Sequence, residues 1–182
     1  MVKGFAIVPL NKLTPHLFIR VLQLSDIDTM VSSFAEASWH KPRATFEDYW
    51  QEQQKGARKV WVAYINDAFV GYVTLKWHSS YQSFAANHIP EIMDLNVLPQ
   101  YRNCGAGSGL LEIAEKEAAI KSNVVGIGVG LYEDYGPAQK LYIKRGYIPD
   151  GKGITYNYQS KEFGTKIPLD DDLVLWLTKK LN

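Results

Sequence analysis

The chain has 182 residues, 46% apolar and 21% charged, with a formal net charge of +1. That length can bury a self-sufficient core, and the interspersed charges make no basic field, so neither nucleic acid nor an anionic membrane is expected as a partner. No stretch approaches the roughly twenty apolar residues of a membrane-spanning helix. The lone Cys104 and the scattered His16, His40, His78 and His88 offer neither a disulfide nor metal-ligand spacing, so a metal-free protein in the reducing cytoplasm is expected. Gly4 to Leu10 is apolar but short and has no small-residue cleavage site, and it reads as mature chain. No repeat or linker divides the sequence, so residues 1–182 read as a single domain.

A short strand is expected at Leu17 to Leu22. Ser25 followed by Asp28 resembles a capping box, and Ile27, Met30, Val31, Phe34 and Ala35 then recur on one helical face. Thr45 is expected to cap a second helix that Gly56 stops. Lys59 to Ile65 and Phe69 to Trp77, joined by Asn66-Asp67, read as an antiparallel hairpin, and Glu91 to Val97 as a further strand. A glycine-rich loop from Pro99 leads into an amphipathic helix with Leu110, Ile113, Ala114 and Ala118 inward. Val124 to Leu131 alternates Gly126, Gly128 and Gly130 with Ile127, Val129 and Leu131, so one face has no side chains and something must approach its backbone closely, either a ligand or a packed helix. A helix carrying Pro137, Ala138, Leu141 and Tyr142 ends at Gly146, and strands from Tyr147 and over Leu173 to Leu181 close the chain. Between them lies a polar loop whose Asp170-Asp171-Asp172 run reads as a solvated turn, with substrate docking as the other reading. The order indicates an α+β fold, a mixed and mostly antiparallel sheet of about six to seven strands with helices on both faces.

The informative stretch is Val97-Leu98-Pro99-Gln100-Tyr101-Arg102-Asn103-Cys104-Gly105-Ala106-Gly107-Ser108-Gly109-Leu110-Leu111. Strand, glycine turn and helix start aim successive N–H groups and a positive dipole end at one place, which suits a phosphate. A Walker A loop is excluded because no Gly-Lys-Ser/Thr closes the run, and the glycine spacing departs from the dinucleotide fingerprint. What remains is an R-x-x-G-x-G loop, which resembles the pyrophosphate-binding motif of the GNAT N-acetyltransferase superfamily. Ala138-Gln139-Lys140-Leu141-Tyr142-Ile143-Lys144-Arg145-Gly146-Tyr147 resembles that superfamily's second signature, in the expected order.

The resemblance implies acetyl-CoA as cosubstrate and transfer of its acetyl group to a primary amine by direct attack in a ternary complex. Arg102, Asn103, Cys104, Gly105, Ala106, Gly107 and Ser108 would hold the pyrophosphate. Leu95, Asn96 and Val97 would pair with the pantetheine arm between strands that splay apart in this superfamily, and a main-chain N–H would receive the thioester oxygen. Many members carry Asn where this chain has Tyr135, whose phenol can also donate a hydrogen bond. Tyr142 would be the general acid to the departing thiolate. Glu91 is the candidate base for an amine of pKa about 10.4, with Asp94 as its rival and a solvated strand-end carboxylate as the bland reading. Cys104 reads equally as a small solvent-facing residue. Trp39, Tyr49, Trp50, Trp77 and Tyr81 can line the acceptor cleft or belong to the core. The acceptor, a small molecule or a peptide amine, is unspecified, a homodimer is left open, and a non-catalytic acyl-CoA sensor is the alternative function.

Overall fold

A computed structural model describes residues 16–181, and the Gly4 to Leu10 stretch lies outside them. Eight strands form one sheet: β1 (Leu17–Val21), β2 (Arg58–Ile65), β3 (Ala68–Lys76), β4 (Glu91–Val97), β5 (Val124–Gly130), β6 (Ile148–Tyr156), β7 (Gln159–Ser160) and β8 (Leu173–Lys180). Their order across the sheet is β1-β2-β3-β4-β5-β8-β6-β7, and every adjacent pair is antiparallel except β4 with β5. The mixed α+β architecture is the expected one. The additional strand, β7, is a two-residue partner of β6 created by a tight turn at Asn157 and Tyr158, both at positive φ.

Among the described residues five helices accompany the sheet: α1 (Asp26–Glu36), α2 (Arg43–Gln54), α3 (Gln82–Ala86), α4 (Ala106–Ala118) and α5 (Gly136–Lys144). Strands β2 and β3 are buried on both faces. Val60, Val62, Phe69 and Tyr72 meet Ile27, Met30 and Phe34 of α1 and Phe46 of α2, while the alternate residues Trp61, Ala63, Val70 and Val73 pack with Leu110, Leu111 and Ala114 of α4. In β2 this division has the period of two that a pleated strand between two helical layers requires, whereas in β3 the extra residue Val70, at the register shift opposite Ala63 and Tyr64, offsets the alternation by one. The β2–β3 turn has Asn66 at φ 47° and Asp67 at φ 65°, the pair of positive φ angles that two-residue hairpin turns need and that Asn and Asp tolerate.

Both expected helix caps are corrected. Ser25 sits in the right-handed helical region and makes no capping bond. Buried Asp26 anchors the start instead: it accepts from the Gln23 N–H at 2.7 Å, from Arg20 at 2.6 Å and from the Tyr64 hydroxyl at 2.8 Å. Helix α2 begins directly behind Pro42, two residues before Thr45, and has no side-chain cap.

Helix α3 explains the glycine face of β5. Its Phe84 joins Tyr81 and Trp176 in a separate buried cluster, and a Cβ on Gly126 would lie 2.1 Å from the Phe84 ring. A Cβ on Gly130 would lie 2.4 Å from the Tyr135 ring, and one on Gly128 2.8 Å from Val174. Each of these three glycines therefore has a neighbouring side chain where its own Cβ would stand.

Candidate active site

Strands β4 and β5 form a fork. They pair only at Glu91 with Gly126 and Ile92 with Ile127; beyond that root β5 stays with β8 and β4 stays with β3. The β5-facing edge of Met93 to Val97 is therefore left without a strand partner. A bulge in β4 accompanies the divergence, with Asp94 at φ 53° and a register shift against β3 between Tyr72 and Thr74. Such bulges bend the strand that carries them. Gly71 permits the bend, because a Cβ there would stand 2.2 Å from the Asn96 carbonyl oxygen. Asp94 is held by the Tyr49 hydroxyl at 2.8 Å and faces Arg58 at 3.6 Å. Arg58 is itself buried, lies over the Tyr49 ring and donates to Thr74 Oγ1 at 2.6 Å.

A cavity of about 300 Å³ opens in the fork. Glu91, Asp94, Leu95 and Asn96 line it from β4, Gly128 and Gly130 from β5, and Tyr135 and Tyr142 from the α5 side. Glu91 is only 2% exposed, not a solvated strand end. Ser79 Oγ donates to Glu91 Oε2 at 2.6 Å and accepts from the Tyr81 N–H at 2.9 Å, which fixes the hydroxyl's direction. Burial pushes the Glu91 carboxyl up to about 7, against the smaller lowering effect of Ser79. Tyr142 is 5% exposed, and burial, with the charge of Asp94 in support, raises its phenol above the ordinary value. It therefore holds its proton at neutral pH.

The phosphate-type loop follows β4 directly. A turn of 3-10 helix at Pro99–Tyr101 leads through Asn103 (φ 61°) and Gly105 (φ 89°) into α4. Gly105 supplies a conformation that residues with a Cβ rarely adopt. No side chain caps α4, so the first N–H groups, at Ala106, Gly107 and Ser108, have no acceptor within the helix. Free N–H groups at a helix start can receive an anion. The missing Cβ of Gly107 points toward Leu141 and Val97, at 3.5 and 3.7 Å, so this glycine also lies at the α4–α5–β4 contact. Arg102 is exposed, with its guanidinium 5.5 Å from the Trp39 ring. The Cys104 thiol is directed at the Tyr101 carbonyl, 2.6 Å away, and is exposed.

A sequence model of the acetyltransferase (GNAT) family matches residues 25–147. The chain belongs to the GNAT acetyltransferase family. Comparison with curated protein sequences found no match. Solved structures share the fold at low identity. An N-acetyltransferase from Staphylococcus aureus Mu50 is 17% identical, with TM-score 0.68 over 92% of this chain and 99% of that one. The yncA protein of Salmonella typhimurium, solved with its cofactor acetyl-CoA, is 18% identical, with TM-score 0.64 over 91% and 94%. A ribosomal-protein-alanine N-acetyltransferase from Brucella melitensis is 20% identical, with TM-score 0.64 over 90% and 99%.

For a GNAT acetyltransferase the residues present could hold acetyl-CoA. The uncapped α4 end offers donors for a pyrophosphate, and the unpartnered edge of Met93 to Val97 offers main-chain groups for an amide-bearing arm. The Tyr135 hydroxyl is already engaged: it donates to Asp171 Oδ1 at 3.0 Å, beside Tyr132 at 2.5 Å. Among the described residues no group of three or more His, Cys, Asp or Glu could hold a metal, and no helix is long and apolar enough to cross a membrane.

The aromatic set chosen from the sequence lies in packing clusters. Trp39, Tyr49 and Trp50 pack with α1 and α2, Trp77 packs on the main core, and Tyr81 stacks on Trp176 at 4.3 Å. The aromatic rings that line the cavity are Tyr135, Tyr142, Tyr158 and Trp176. Tyr158 and Trp176 were missed in sequence because nothing local separates a lining ring from a packing one. The Asp170-Asp171-Asp172 run is the solvent-facing turn expected, with Asp171 and Asp172 exposed, and it also borders the cavity. Asp171 and Asp172 line the cavity, while Asp170 accepts from the Tyr156 hydroxyl and the Asp172 N–H.

Proposed function

We propose that this chain is a single-domain cytoplasmic enzyme that transfers the acetyl group of acetyl-CoA to a primary amine by direct attack in a ternary complex. The observation that carries the reading is the meeting of Glu91 and Tyr142, from a strand and a helix 51 positions apart in sequence (142 − 91), in one cavity at the mouth of the β4–β5 fork. The fold shared with a ribosomal-protein-alanine N-acetyltransferase supports an amine acceptor.

Acetyl-CoA, when bound, supplies the activated thioester. Glu91 is poised to take the ammonium proton, directly or through one water, because a carboxyl near 7 is half-ionised at neutral pH and still basic enough to accept. Tyr142 keeps its proton until the C–N bond forms and the C–S bond breaks, and then gives it to the departing sulfur. An unpaired buried carboxylate beside a cavity supports catalysis over a sensor role, since binding alone has no use for a raised carboxyl. The test is release of free thiol from acetyl-CoA in the presence of a panel of primary amines. Tight acetyl-CoA binding without thiol release to any amine would establish the sensor instead.

A further inference from the structure

We propose that the acceptor carries a second cationic group, seated at Asp171 and Asp172, with an alkyl chain leading from it to the reacting amine at Glu91. The proposal rests on the acetyl-transfer reading of the same cavity.

The cavity lining contains four carboxylates, Glu91, Asp94, Asp171 and Asp172, and one cationic side chain, Lys41. Asp94 has Arg58 opposite it. Elsewhere, well-buried carboxylates are matched: Asp26 by Arg20, and Glu115 by Arg145 and Lys179. Among the described residues, Glu91, Asp171 and Asp172 have no such ion pair. Of these three, Glu91 is buried, while Asp171 and Asp172 are exposed turn residues at the rim, so the concavity carries negative charge from its rim to its buried end and favours a cation from outside the chain.

Asp171 is also held in place. Its Oδ1 accepts from the hydroxyls of both Tyr132 and Tyr135, which leaves the second oxygen for an incoming donor. The backbone of the turn at Asp172 is set by its N–H to Asp170 Oδ1 at 3.1 Å, and the preorganised carboxylate is that of Asp171. A preorganised carboxylate binds a cation without first losing side-chain freedom.

Between these carboxylates and Glu91 the lining includes Tyr158, Val174 and Trp176. Trp176 is fixed by its Nε1 to Thr155 Oγ1 at 2.8 Å and by stacking on Tyr81. Aromatic and aliphatic surface of this kind suits methylene groups, and the ring faces favour an ammonium. Independently of the aspartates, Tyr142 is well buried and lines the same cavity, so the concavity is a built site. The chemistry recognised is that of a diamine: ammonium, alkyl chain, amine.

The experiment compares a series of diaminoalkanes of increasing length with alkylamines of the same chain length, on the full chain with coenzyme A present. The series extends to long chains because Asp172 lies six positions along β8 from the level of Glu91. Binding is read by calorimetry and transfer by thiol release from acetyl-CoA. The diamine is expected to bind about tenfold more tightly, the order set by one or two partly exposed ion pairs, and to lose that advantage as salt is raised. In the double variant Asp171→Asn with Asp172→Asn the preference should fall to about twofold or less. Asn at 171 keeps an oxygen for Tyr132 and Tyr135, so the loop retains its bonds. Equal binding of the two amines by the wild type, or a preference that survives in the double variant, would overturn the proposal. Thiol release that treats both amines alike removes the second-cation site and leaves acetyl transfer standing. Selective, aspartate-dependent binding without thiol release removes acetyl transfer and supports the cation site.

Discussion

Two glutamates of this chain are buried to a similar degree and solvated by the protein in opposite ways. Glu115 of α4, 7% exposed, receives Arg145 at 2.6 Å and Lys179 at 2.7 Å. Burial alone would raise its carboxyl, but those two partners outweigh burial and hold it below the usual range. Glu91 of β4, 2% exposed, receives a single neutral hydroxyl and stays near 7. The first joint ties α4, α5 and β8 together and fully answers the charge of the carboxylate. The second keeps its charge incompletely answered beside a cavity. A buried ion with partners is a structural tie, whereas one without them carries a cost that calls for a function.

Removing the unpaired carboxyl gives the largest effect. Glu91→Gln is expected to lower kcat roughly 10²- to 10³-fold near neutral pH, with partial recovery as alkali frees the amine. Stability should move the other way. Because the folded-state value of Glu91 is raised to about 7, its contribution is fully present below the unfolded value and is lost as pH rises through about 7. Above that pH the wild type carries a buried charge that the amide lacks, so the variant should gain on the order of 1–3 kcal/mol in denaturant titrations. A variant that is less stable but turns over normally would make Glu91 structural.

Next in size is Tyr142→Phe. It keeps the ring and its packing, so kcat should fall about 10²-fold while acetyl-CoA affinity changes little. An earlier melt with an unchanged rate would assign the hydroxyl to the core.

Glu115→Gln sharpens the contrast from the paired side. It leaves Arg145 and Lys179 without their counter-charge, and a loss of about 2 kcal/mol in unfolding free energy is expected, with kcat per folded molecule retained. The pH signature is the mirror image of Glu91. A lowered folded-state value means stability present above the unfolded value and lost as pH falls through the folded one, so the wild type should lose its advantage over Glu115→Gln in acid.

What was legible in the sequence follows from how local each signal is. The hairpin at Asn66-Asp67, the Gly105 turn, the start of α4 and the Gly146 stop depend on residues adjacent in the chain, and all are in place. Ser25 and Thr45 failed as caps because nearby residues with stronger claims, buried Asp26 and Pro42, set the helix starts. Helix α3 was missed because five residues with one buried anchor, Phe84, carry no periodicity. At the site, the positions of Glu91 and Tyr142 were readable from motif resemblance. The burial of Glu91 and its bond to Ser79 were not, because they arise where distant segments meet. The arrival of Asp171 and Asp172 at the cavity depends likewise on β8 pairing with β5, far away in sequence.

The smallest expected effect tests how Glu91 is tuned. Ser79 is a positioning residue: its hydroxyl accepts from the Tyr81 N–H, so its own proton is directed to Glu91 Oε2. That bond favours the ionised carboxylate and opposes the dominant effect of burial. Ser79→Ala removes the donor from a buried carboxylate, where such a bond is worth about 1.5 kcal/mol, equivalent to roughly one pKa unit. The acid limb of the kcat/KM profile should therefore move up by up to about one pH unit, while the rate on the alkaline plateau changes less than about threefold. Ser79→Thr, which restores a hydroxyl, should return the limb toward its wild-type position. A merely structural serine would lower stability without moving the limb. An acid limb that stays in place in Ser79→Ala but disappears in Glu91→Gln would mean that Glu91 titrates without help from this hydroxyl, and burial alone would then set its value.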